Sequence, residues 1–207
     1  MKKLTIVLVI AAVIGLLALP QPAAAGVQFG IKAGGNMAKP TGADAADIAE
    51  TLKTKVGFVG GIFIAFNLSN SFSIQTEVLY TMKGATIEET DVDETIEGKL
   101  YGDYLEIPLL LKLKLGSGGI QPFLIAGAYA GFKLSEKITV MGEEIPLDEA
   151  LLKNNDYGAI LGGGLNLGHS FHVDVRYSLG LAKIAEGEIE NPDVKNGVWS
   201  ATLGFAF

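Results

Sequence analysis

Glu77, Glu106, Asp174 and Arg176 are the side chains of this 207-residue chain best suited to acid–base work, with Lys112, Lys114, His169 and His172 close behind. Nearly all of them fall on the polar parity of an alternating stretch. Phe72, Ile74, Thr76, Val78, Tyr80 and Met82 alternate with Ser73, Gln75, Glu77, Thr81 and Lys83; Leu105, Ile107, Leu109, Leu111, Leu113 and Leu115 alternate with Glu106, Pro108, Lys112 and Lys114; Phe171, Val173, Val175, Tyr177, Leu179 and Leu181 alternate with His172, Asp174, Arg176 and Ser178. Carboxylates beside a guanidinium shift one another's protonation, which is the setting of an acid–base or proton-linked site. The same charges, if enclosed, must pair to offset desolvation, and a network that fixes strand register is then their simpler role. The structural reading is preferred: Glu77, Glu106, Lys112, Asp174 and Arg176 are expected to form one interior charge network, with Arg176 between carboxylates. No catalytic, cofactor-binding or metal-ligating set is expected. The chain has no phosphate loop, no metal-ligand spacing and no nucleophile elbow, and both histidines lie at or beside one turn.

The alternation that positions these groups recurs eight times. The expected strands are Val27–Met37, Val56–Leu68, Ser71–Lys83, Tyr104–Leu115, Ile120–Leu134, Asp156–Leu167, Phe171–Leu181 and Val198–Phe207. In the last, Trp199, Ala201, Leu203, Phe205 and Phe207 take one face while Ser200, Thr202, Gly204 and Ala206 take the other, because side chains of a strand alternate with a period of two. Strands of this length exceed the usual five or six residues of soluble sheets and suffice to cross a bilayer at a tilt. The links alternate as well. Tight turns follow the second, fourth and sixth strands, at Ser69-Asn70, Gly116–Gly119 and Gly168–Ser170; the other four links are long. Short turns at one end and long loops at the other are the pattern of outer-membrane barrels. The reading is all-β: an eight-stranded antiparallel up-and-down transmembrane barrel with short periplasmic turns and long extracellular loops.

Met1-Lys2-Lys3, the apolar run Leu4–Leu19 and Ala23-Ala24-Ala25 have the three regions of a secretory signal peptide. Residues 1–25 are expected to be cleaved, leaving residues 26–207 as one domain. No cysteine is present, which excludes a lipidated lipoprotein and any disulfide framework. The formal net charge of −7 becomes −9 once Lys2 and Lys3 are removed, so a nucleic-acid partner is not expected. Beyond residue 25 no apolar run is long enough for a helical span. A membrane protein of this sequence must therefore close its strands into a barrel, the other arrangement that satisfies every backbone group in lipid.

The acid gathers in the long links, which hold 18 of the 23 carboxylates. An exposed, solubilising rim explains them most simply. The alternative is a surface for divalent cations or a basic partner, since Asp91-Val92-Asp93-Glu94 offers oxygens, though without the glycine of an ordered calcium loop. Asp44–Leu52 and Leu147–Leu152 have the composition of short helices.

Several motifs give the chain a family resemblance. They are Gly30-Ile-Lys-Ala-Gly-Gly-Asn36, Phe72–Tyr80 with Lys83-Gly84, Tyr104-Leu-Glu-Ile-Pro-Leu-Leu-Leu-Lys112 and Pro122–Gly127. Asp156-Tyr-Gly158 with Gly162–Gly164, Asp174-Val-Arg-Tyr177 and the terminal Phe207 complete the set. In these it resembles the small outer-membrane β-barrel domain family that includes the PorT-like proteins. The resemblance implies the bacterial outer membrane as location, outer-membrane lipid as surroundings, and the outer-membrane assembly machinery as a partner that reads Phe205 and Phe207. It implies fold better than activity. The expected role is non-enzymatic: structural, binding or secretion-accessory, through the acidic loops, toward a ligand the sequence does not name. A small channel, a lipid-modifying enzyme and a soluble lipocalin-like carrier are the alternatives. The last would turn Leu105–Leu115 inward around a dry pocket.

Overall fold

A computed structural model describes residues 26–43, 45, 52–91, 94–141, 143–145, 151–184 and 193–207. The expected signal peptide lies outside them, as do most of the expected helix at 44–52 and residues 147–150 of the other; Leu151 and Leu152, at its end, are not helical. Among the described residues ten strands are formed: β1 (Val27–Thr41), β2 (Leu52–Lys53), β3 (Lys55–Asn67), β4 (Phe72–Asp91), β5 (Glu94–Lys114), β6 (Ile120–Val140), β7 (Glu143–Ile145), β8 (Asn155–Leu167), β9 (Phe171–Gly180) and β10 (Lys195–Ala206). Eight of them pair antiparallel in a closed ring, in the order β1, β3, β4, β5, β6, β8, β9, β10 and back to β1.

The register of the ring determines its size. Stepping across paired residues from Met37 leads through Trp199, Tyr177, Leu161, Ala126, Leu111, Ile74 and Phe66 to Val27, ten positions lower on the starting strand. Eight strands with a stagger of ten, at ordinary strand spacings, tilt by about 40° around a barrel of about 8 Å radius. Such a bore is filled by side chains. At that tilt about ten residues cross an apolar band of about 25 Å, and β9 has ten.

Three neighbouring leucines on β5 establish which face is greasy. Leu109 and Leu111 are 51% and 61% exposed, while Leu110 between them is 0% exposed. Phe29, Ile31, Ile62, Leu161, Trp199 and Leu203 are likewise exposed on the outside. The large apolar set faces outward, so the lipocalin-like inversion is not the arrangement adopted. The interior is less polar than expected: Leu110, Phe123, Ile125, Tyr129 and Ile160 form an apolar wall within the bore. Room for large interior rings comes from glycines on adjacent strands. A Cβ at Gly30 would strike the Phe63 ring, one at Gly164 the Phe123 ring, and one at Gly204 the His172 ring. In the tight turns, Gly116 and Gly168 take φ of 71° and 68°, which glycine adopts without steric cost.

The two ends differ more than strand count suggests. At the turn end, β3–β4, β5–β6 and β8–β9 are joined by the three short links expected. At the other end, the described residues of the stretch expected as a loop from Gly84 to Gly102, residues 84–91 and 94–102, are sheet. β4 and β5 stay paired as far as Asp91 opposite Glu94, β6 follows β5 to Val140, and β2 and β7 add short edges. A ridge of sheet thus rises above one side of the barrel, with roughly ten residues, about 30 Å of strand, beyond the apolar band. Its edge strands have two and three residues, and edges so short offer little template for pairing with another chain. On the opposite side the amide of Ala43 donates to Asp193, whose partner is Lys195. The Lys195 hydrogen bond, then that of Ala43, holds the Asp193 carboxyl below the usual carboxylate range.

Candidate functional site

The interior charges are stacked along the barrel axis in three groups. The middle group joins β1, β4, β9 and β10. Arg176 spans Glu77 with Nη1 and Nη2 at 2.8 and 3.2 Å, and its Nε donates to Asp174 Oδ1 at 2.8 Å. Lys32 Nζ reaches Glu77 Oε1 at 3.1 Å and Asp174 Oδ2 at 2.9 Å. Gln75 also donates to Glu77, and Thr202 to Asp174. Two cations face two carboxylates, with the planar guanidinium fork supplying the bidentate geometry that a point charge could not. All four charged side chains are buried.

A second group sits nearer the ridge end, where β4, β5, β6, β8 and β10 converge. Lys83 pairs with Asp156 at 2.8 Å and with Glu106. Asp156 also accepts from Tyr129 Oη at 3.2 Å and Asn196 Nδ2 at 2.8 Å, and Glu106 accepts from Thr81 at 3.3 Å. The Lys83 ammonium lies 4.7 Å from the Tyr129 ring centre and 5.1 Å from that of Tyr104. This group carries two carboxylates for one cation.

The third group is at the turn end. Lys112 Nζ donates to Asn166 Oδ1 at 2.9 Å and lies 3.8 Å from the Phe123 ring centre; Lys114 Nζ donates to Asn67 Oδ1 at 2.6 Å. His172 is buried edge-on to Phe63.

Of the five residues expected in one network, Glu77, Asp174 and Arg176 meet. Glu106 joins the group above them, and Lys112 joins neither, being held by a neutral amide. Lys32, Lys83 and Asp156 are the partners the sequence reading did not assign. All three stand on the inward parity of their strands: Lys83 was already on the polar parity of its strand, and extending the parity count to β1 and the start of β8 would have found Lys32 and Asp156. The other pair singled out, Phe205 and Phe207, lies at the turn end of β10. Their rings are 5.5 Å apart, Phe171 packs against Phe205 at 5.0 Å, and Phe207 is 77% exposed.

Chemically, the middle group is saturated, while in the ridge-end group Asp156 Oδ1 is buried without a hydrogen-bond partner and Glu106 Oε1 meets only the Lys83 ammonium. Each carboxylate already accepts from a cation and at least one neutral donor, a state suited to bracing strands rather than to turnover. Among the described residues, no three His, Cys, Asp or Glu side chains could jointly hold a metal ion, and no helix is long and apolar enough to cross a membrane.

Comparison with known proteins accords with this architecture. The model of the family described as outer membrane protein beta-barrel domain matches residues 20–186. No curated protein matches the chain. Among solved structures it is similar to Neisserial surface protein A, at 16% identity over 88% of this chain and 99% of that one, with a TM-score of 0.49. It is similar to OprG of Pseudomonas aeruginosa at 15% identity, covering 87% and 95% of the two chains, with a TM-score of 0.49. It is also similar to Ail, the attachment invasion locus protein of Yersinia pestis, at 18% identity over 87% and 99%, with a TM-score of 0.46. These likenesses concern the fold, and a fold of this kind hosts unrelated roles.

Proposed function

Since the chain belongs to the outer membrane protein beta-barrel domain family, we propose that it is a non-enzymatic outer-membrane barrel that displays an acidic sheet ridge to capture a cationic partner outside the cell. The observation that carries this reading is the register of β4 and β5 beyond the barrel. Glu88 stands opposite Glu97 and Asp91 opposite Glu94. Like charges at facing positions of a strand pair reduce its stability, yet the two strands remain paired to their ends. Glu143 and Glu144 on β7 are exposed beside them. An acidic arm of this kind steers positively charged partners toward it.

The ion pairs that cross the middle of the bore support a brace rather than a pore, which disfavours the channel reading. Both histidines stand at the turn end, away from the outer leaflet where a lipid-modifying site of this fold would need one. Within the family, the motifs around Gly30–Asn36 and Tyr104–Lys112 favour a PorT-like affiliation and thus a secretion-accessory setting for the arm.

Binding of an oligolysine peptide to the purified barrel in zwitterionic detergent tests the proposal. Replacing Glu88, Asp91, Glu94 and Glu97 by their amides should weaken binding by about tenfold or more at low salt and flatten its salt dependence. Equal binding by the neutralised protein would remove the ridge as the site. Saturable calcium binding without peptide binding would replace the cationic partner with a metal ion.

Phe205 and Phe207 are proposed to act in assembly. Phe207→Ala should reduce the amount recovered in outer membranes by several fold while leaving refolding of the purified chain into detergent unchanged. A matching loss in both would mark the residue as structural instead.

A further inference from the structure

The turn end of the bore holds a cavity of about 170 Å³ that the structural braces leave unused. Lys112, Lys114, Ser73 and His172 are among its lining residues. The carboxylates of the middle group are already committed to Lys32 and Arg176, and among the described residues neither Lys112 nor Lys114 has an ion pair. Each ammonium has three donors, and a single neutral amide oxygen is recorded for each.

The orientation of those amides is fixed. The Asn166 NH2 group donates onward to Gln121 Oε1, whose own NH2 donates to the carbonyl of Gly116. Asn67 likewise directs its NH2 at the carbonyl of Gly26. Neither amide can turn without breaking a bond, so their oxygens stay on the lysines and their donors point away. A second, independent feature lies in the same cavity. Ser73 and His172 are 2% and 5% exposed, and Ser73 Oγ and His172 Nε2 have no protein partner. Buried polar atoms rarely remain so, and an unseen water or ion is the usual explanation.

We infer that the turn end is a binding site for a small oxyanion of the phosphate or carboxylate class, held by Lys112 and Lys114 with Ser73 and His172 as neutral hydrogen-bonding partners. Size restricts the ligand. A cavity of 170 Å³ offers the share of about five or six liquid waters, below the roughly 300 Å³ at which pockets for drug-sized ligands begin. The surplus carboxylate of the ridge-end group and the surplus cations here also give the bore a polarity along its axis, negative outside and positive within. That polarity favours entry of an anion from the periplasmic side.

Titration calorimetry of the wild-type barrel in phosphate-free zwitterionic detergent, with inorganic phosphate, acetate or chloride added, tests the site. The expected result is saturable one-to-one binding of phosphate or of acetate, whichever class the site takes, with chloride far weaker. Lys114→Gln, near the cavity mouth, should weaken that binding by about tenfold, and Lys112→Gln should do the same if its gel shift on boiling confirms a folded barrel. No saturable binding to the wild type up to about 0.1 M, where screening shortens to about 10 Å, would overturn the inference. So would equal affinity of Lys114→Gln and wild type.

Discussion

Arg176→Met should destabilise the barrel by about 3–5 kcal/mol, the cost of leaving a buried charge without its partner. Arg176 is buried and closes three contacts, two to Glu77 and one to Asp174. Without it, Lys32 faces two carboxylates alone, and one negative charge remains in a bore too narrow to hydrate it fully. Urea unfolding of the protein in lipid vesicles, read by the migration of unboiled samples, measures the loss. The double variant Glu77→Met with Arg176→Met distinguishes charge imbalance from mere contact loss. It leaves Lys32 with Asp174, already 2.9 Å apart, and replaces a buried pair with apolar volume, an exchange that is often neutral or stabilising. The double should therefore recover most of the single variant's loss. A single variant costing less than about 1 kcal/mol, within the range of an exposed pair, would mean that water reaches the group and that the bore is not closed there.

Leu109→Arg should cost about 2–4 kcal/mol in a bilayer, the penalty for a cation on the lipid face near the midplane of a barrel. Leu109 stands outward on β5, between the turn end at Lys114 and the rim near Tyr104, and is half exposed. Leu110→Ala provides the contrast. That side chain is enclosed with Phe123, Ile125, Tyr129 and Ile160, so its loss leaves a cavity worth about 2–5 kcal/mol in any surroundings. The two variants thus respond differently to solvent. Transfer from lipid vesicles to a small, water-permeable detergent micelle should relieve much of the Leu109→Arg penalty and little of that at Leu110. Equal relief at both positions would contradict the assignment of the two faces.

Local pattern made much of this molecule legible. A period of two needs only neighbours to be read, so the outward set around Leu105–Leu115 and the inward parity of Glu77, Glu106, Asp174 and Arg176 follow from sequence order. The three tight turns were equally plain: Gly116 and Gly168 mark two of them with positive φ, and the Ser69-Asn70 pair marks the third. The ridge was hidden for a related reason. Between Gly84 and Gly102 charged and hydroxyl residues occupy both parities, so no apolar face announces a strand; pairing there continues from strands already aligned below. The Lys137 ammonium and the Glu144 carboxylate meet 3.1 Å apart between β6 and β7, a contact visible only once those two strands are paired.

The sequence alone determined that charged residues line the inside, but not which ones meet. Lys32 reaches Glu77 across 45 positions and Asp174 across 142. That meeting depends on the ten-residue stagger with which β1 returns to itself around the barrel, and no local pattern encodes it. The same stagger lifts Glu106 to the level of Lys83 and Asp156 and lowers Lys112 to Asn166. One expected network is thereby divided into a balanced brace, an acidic group above it and a cationic cup below. Composition fixed the charges, and closure of the sheet fixed their partners.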